Sequence, residues 1–111
     1  MAFRHLLAQA AVTDLAVAEQ WYATVLGSEP HARPMDGLLE WHLTATFGVQ
    51  VWRDPGRAGA SAMVIDESDL DARAARLAAD GVDHAGPQPG GGARLLILVD
   101  PDGNQLVISG P

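Results

Sequence analysis

Asp14-Leu15, a helix-like stretch ending at Gly27, then His31-Ala32-Arg33-Pro34: this succession decides the fold, because the chain runs through it twice. The second pass reads Asp69-Leu70, a helix-like stretch ending at Gly81, then His84-Ala85-Gly86-Pro87. The offset is 69 − 14 = 55 residues at the start and 84 − 31 = 53 at the end, about half of the 111-residue chain. Self-similarity at that spacing means one supersecondary unit used twice.

Each unit opens on an apolar, strand-like run, Phe3 to Ala11 in the first and Ala60 to Ile65 in the second. A helix follows. Leu15, Ala18, Tyr22, Val25 and Leu26 fall at 3–4 spacing, with Asp14 placed as N-cap and Gly27 as stop. Leu70, Ala74, Leu77 and Ala78 repeat the stripe, with Ser68 or Asp69 as cap and Gly81 as stop. Ser68 and Asp71 resemble a weak capping box. Three short strands are expected after each helix, near 28–34, 38–45 and 48–53, then near 82–86, 93–99 and 104–109. Asp100-Pro101-Asp102-Gly103 has the chemistry of a hairpin turn. Asp54 to Gly59 reads as a linker, and Pro87 to Gly92 as a mobile loop able to close over a pocket. The expected architecture is α+β: a single domain, 1–111, of two βαβββ modules at about 1–55 and 59–111. Each carries its helix on the convex side of a curved sheet, and the concave faces enclose a cleft.

Alternation along the strands sorts their side chains. In the run Leu38 to Leu43, Leu39, Trp41 and Leu43 suit packing beneath the helix, which leaves Leu38, Glu40 and His42 on the other face. The same parity sets Val49 and Val51 against Gly48, Gln50 and Trp52, and puts Gln9 with His5, Leu7 and Ala11. Gln9, Glu40, His42, Gln50 and Trp52 are therefore candidate neighbours on one concave face. A tryptophan with amides and one carboxylate suits a small organic ligand. An exposed sheet face carrying Glu-x-His is also what plain solvation produces. Trp41 reads as core, Trp21 as a partly exposed packing or interface residue, and His31 and His84 as structural residues at equivalent strand positions.

Composition narrows the function classes. A net charge of −7 repels nucleic acid and anionic membranes, and it favours cationic small molecules or simply solubility. No apolar run approaches the roughly 20 residues of a membrane helix. The N-terminus lacks the form of a signal peptide, which makes the cytoplasm the default location. With no cysteine there is neither disulfide nor thiolate chemistry. All seven basic residues are arginine, so no lysine nucleophile exists.

Val12-Thr13-Asp14-Leu15, Trp21 to Gly27 and Asp100-Pro101-Asp102-Gly103-Asn104, supported by Gly37 to Trp41 and Arg53 to Gly59, resemble the vicinal-oxygen-chelate superfamily. That superfamily includes glyoxalase I, extradiol dioxygenases, fosfomycin-resistance transferases, methylmalonyl-CoA epimerase and bleomycin-resistance proteins. The resemblance spans nearly the whole chain and is specific for the fold, not for a reaction. Metal-dependent members use His, Gln and Glu ligands on central strands. Carried over by position, three of those ligands fall on Leu7, Ala60 and Val107, all aliphatic and unable to bind a divalent cation. The resemblance then implies a metal-free, cofactor-free small-molecule binder that sequesters a drug or metabolite, and a homodimer, since relatives commonly pair and short sheets leave edges to cover. The alternatives are a metal-independent isomerase or lyase with Glu40 and His42 as general base and acid, and a metal enzyme with a displaced His5, Glu40 and His42 site.

Overall fold

The computed structural model describes residues 2–111. The first module comprises β1 (Leu6–Val12), α1 (Leu15–Leu26), β2 (Ala32–Met35), β3 (Leu38–His42) and β4 (Phe47–Arg53). The second repeats the order with β5 (Ala62–Asp66), α2 (Leu70–Ala79), β6 (Gln88–Gly90), β7 (Ala93–Val99) and β8 (Gln105–Gly110). The sheets have the same topology, β1-β4-β3-β2 and β5-β8-β7-β6, in which the last strand of each module returns parallel to the first. The fold class expected from the repeat is the one observed.

Local chemistry starts and stops the helices. The Asp14 carboxylate accepts from Val17 N–H at the N-terminus of α1, and Gly27 N–H bonds back to Ala23 at its end. Asp69, not Ser68, caps α2, its carboxylate accepting from Ala72 N–H. Asp71 does not complete a capping box; it pairs with Arg94 on β7 instead.

The helices bury the alternating faces of the sheets in one continuous core. Ala10, Val12, Leu39, Trp41, Val49 and Val51 meet Ala18, Tyr22 and Val25 of α1. Leu96, Leu98, Leu106 and Ile108 meet Leu70, Ala74 and Leu77 of α2. Trp41 is fully buried and its indole N–H donates to Ser28 O at 2.9 Å. Trp21 is half-buried and meets Tyr22 edge to face.

Several strand boundaries differ from those the sequence suggests. The first strand starts at Leu6 because its partner starts at Phe47. The second strand of the first module is Ala32–Met35, since ladder pairing with β3 begins only at Ala32. The larger correction is in the second module. Residues 82–86 form no strand. Val82 is buried, but His84 Nε2 meets Ala74 O and Nδ1 accepts from Gly86 N–H, so the segment is pinned to α2. The strand lies inside the stretch expected to be a mobile loop. Gln88–Gly90 pairs with Ala93–Leu95, and Gly91-Gly92 makes the two-residue turn. Both turn residues have positive φ, 55° and 83°, as a tight hairpin linking twisted strands demands. His31 and His84 both lie outside the strands, not at equivalent strand positions.

Candidate functional site

The site is built on three adjacent strands. In the register, Gln9 stands opposite Gln50, and Gln50 opposite Glu40. Their side chains leave the face away from α1, because their neighbours Ala10, Val49, Val51, Leu39 and Trp41 fill the core. The result is a continuous polar chain. Gln9 Nε2 donates to Gln50 Oε1 at 3.1 Å, Gln50 Nε2 donates to Glu40 Oε2 at 2.5 Å, and His42 Nε2 lies 2.9 Å from Glu40 Oε1. Trp52 stands on the same face, two residues beyond Gln50 and opposite Ala11 and Leu38. All five residues singled out in the sequence therefore share one surface. Four are linked directly, and Trp52 stands apart from the chain.

Two cavities open on this surface. One, of about 480 Å³, is walled by His5, Leu7, Glu40, His42, Thr44 and Phe47. The other, of about 330 Å³, is walled by Gln9, Ala11, Trp52, Arg57, Ala60 and Ser61. Gln9 and Gln50 stand between the polar end and the aromatic end.

Glu40 is the charged centre. Its side chain is only 14% exposed, against 51% for His42. The bond from His42, followed by that from Gln50, holds the Glu40 carboxyl below the usual glutamate range, outweighing the opposing effect of burial. Glu40 is therefore an anion at neutral pH. A general base working near neutrality needs the opposite shift.

His31 supports this centre. Its Nδ1 accepts His42 N–H at 2.9 Å, and the two imidazole rings stack at 5.9 Å with 10° between planes. It is a structural residue, and its effect reaches the site through His42. Only the antiparallel pairing of the chain around β2 with β3 brings the two histidines together, which no local spacing reveals. Arg57 was also missed, because a linker arginine carries no periodic signal.

The residues at the metal-ligand positions do not fit a divalent cation. Leu7 walls the Glu40 cavity, Ala60 walls the Trp52 cavity, and Val107 faces Val64 and Ile97 across the second sheet. None offers a donor atom. His5 shares a cavity with Glu40 and His42, but among the described residues no three His, Cys, Asp or Glu side chains are grouped to hold a metal ion.

A second polar network lies at the junction of the modules. Asp100 accepts from Tyr22 Oη–H at 2.8 Å and from the Asn104 side-chain amide at 2.8 Å. Asn104 also donates to Ala11 O and accepts from Ser61 N–H. Asp102 takes both the hydroxyl and the N–H of Thr13. The Asp-Pro-Asp-Gly-Asn turn is thus a clamp between modules as well as a hairpin. Burial and Asp100 raise the Tyr22 phenol far above its ordinary value, so it serves as a fixed donor.

Fold and surface together define a class: proteins of two like βαβββ modules whose sheets each keep one face free of helix. The chain belongs to the Glyoxalase/Bleomycin resistance protein/Dioxygenase superfamily, whose family model matches residues 3–108. A glyoxalase/bleomycin resistance protein from Catenulispora acidiphila is 28% identical with a TM-score of 0.89, over 97% of this chain and 98% of that one. TnmS3, an antibiotic binding protein from a Streptomyces species, is 27% identical with a TM-score of 0.82, over 100% and 98%. A bleomycin resistance determinant encoded on the transposon Tn5 shares the fold at 18% identity and a TM-score of 0.80, over 96% of each chain. No curated protein matches the chain.

Proposed function

We propose that this protein is a metal-free binding protein that holds a cationic, aromatic small molecule, a drug or metabolite, on the open face of its first sheet. The observation that carries this reading is the Glu40 carboxylate, kept ionised by His42 and Gln50 and sharing a sheet face with Trp52. A cation pairs with the carboxylate, and the attached ring stacks on the indole. Relatives support the reading, since one is itself an antibiotic binding protein. Glu40 and His42 as a general base and acid are less well supported, because the carboxyl is shifted the wrong way.

The protein acts as a cytoplasmic homodimer in this reading. The open face of the second sheet leaves Val64, Ile97 and Val99 exposed, a set that a second copy covers. Among the described residues no helix is long and apolar enough to cross a membrane. Static light scattering is expected to give twice the monomer mass; a monomer at high concentration rejects the dimer. Calorimetric and tryptophan-fluorescence titrations against cationic and neutral aromatic compounds test the ligand class. Cationic members are expected to bind and quench, and silence from all of them rejects the function.

A further inference from the structure

We propose that the ligand of this site is amphoteric: a planar core with a cationic group at the Glu40 end and an anionic group at the other, received by Arg57. This rests on reading the first sheet's open face as the binding site. The two ends of that face differ in chemistry. Leu7 and His42 stand opposite Gly48, whereas Ala11 stands opposite Trp52. These positions are four residues apart on β4, roughly 13 Å at the usual rise. Glu40, itself opposite Gln50, lines the cavity at the Gly48 end with His42, and Arg57 lines the cavity at the Trp52 end.

The Arg57 guanidinium is available. Arg33, Arg73 and Arg94 are each engaged by a carboxylate, Glu19, Glu67 and Asp71. Among the described residues Arg57, like Arg4, Arg53 and Arg76, has no such partner, and of these four only Arg57 lines either cavity of this face. Its backbone is braced. Arg57 N–H bonds to Asp54 O at 3.0 Å, and Ser61, on the same cavity wall, is bound by Asn104 at 2.9 Å. Two residues after Arg57, the linker passes so close to the clamp that a Cβ on Gly59 would stand 2.5 Å from Asp102 O. The linker backbone is therefore held beside the cavity that Arg57, an exposed residue, lines. A fork of donors beside an indole receives a carboxylate or phosphate attached to an aromatic ring.

The test uses two dyes that differ in one charge. Tetramethylrhodamine is a zwitterion, and its methyl ester is a cation with the same core. Net charge alone favours the ester, so a preference for the zwitterion has to come from a local cation. Fluorescence anisotropy with the full-length protein is expected to show the zwitterion binding about tenfold more tightly than the ester. Arg57→Ala should abolish the preference while leaving ester affinity within about twofold, and Arg57→Glu should reverse it. Equal affinity for both dyes in the native protein, or equal losses for both in Arg57→Ala, overturns this inference and leaves the cation site standing. If neither dye binds, and the cationic compounds are silent as well, the site itself is rejected and the inference falls with it.

Discussion

Asp100 and Glu40 are each gripped by neighbouring donors, yet Asp100 is 4% exposed at the junction of the modules, while Glu40 lines an open cavity. Around Asp100 every donor comes from the protein: Tyr22, Asn104 and the backbone N–H groups of Asp102 and Asn104. Around Glu40 each oxygen has a single partner, His42 on Oε1 and Gln50 on Oε2, where Asp100 has two donors on each, and Glu40 lines a cavity. A carboxylate enclosed by donors holds structure together. One with a single partner on each oxygen, beside a cavity, keeps lone pairs for something else. The contrast predicts that Asp100 matters for stability and Glu40 for binding.

The largest effect is expected from Asp100→Ala. It leaves the Tyr22 hydroxyl and an Asn104 amide donor buried without an acceptor, at a cost of about 4 kcal/mol in urea unfolding. If that variant does not fold, Asp100→Asn keeps part of the network and should fall between it and the native protein. A cost under about 1 kcal/mol would show that the clamp is not what joins the modules. Tyr22→Phe tests the same network more gently. Asp100 keeps three donors, and the expected loss is about 2 kcal/mol.

How far the sequence carries this contrast differs between the two sites. Parity along β1, β3 and β4 places Gln9, Glu40, His42, Gln50 and Trp52 on one face, because period-two alternation is strict wherever the opposite face is core. The caps at Asp14 and Asp69 are legible because their signals are local. The clamp is not legible in this way. Asp100 and Asn104 look like turn residues, and only folding brings Tyr22 and Ala11 to them across 78 and 93 residues. The misplaced strand near 82–86 has a similar cause. Val82 and His84 imitate alternation while in fact packing on α2, and the glycines that looked mobile build a tight turn.

Glu40→Gln tests the other half of the contrast. Its stability cost should stay within about 1 kcal/mol, since the partner His42 is half exposed. Its binding cost should be larger. Affinity for tetramethylrhodamine methyl ester is expected to fall about tenfold or more as the charge-assisted contact is lost. A variant that loses stability but keeps affinity would reverse the roles assigned to the two carboxylates.

The smallest effect is a dependence on pH. The Glu40 carboxyl sits below its ordinary value in the folded protein because His42 and Gln50 stabilise the anion. A carboxyl with a depressed folded pKa stabilises the fold above its unfolded pKa, and that contribution is lost as pH falls through the folded value. Glutamine mimics the protonated acid, so the native protein and Glu40→Gln should differ in stability by a few tenths of a kcal/mol at neutral pH. The gap should close once the pH drops below the ordinary glutamate range. Urea midpoints for both proteins across that range provide the measurement. A gap that persists in acid would assign the difference to packing of the Glu40 side chain, and would remove the charge that sets this carboxylate apart from Asp100.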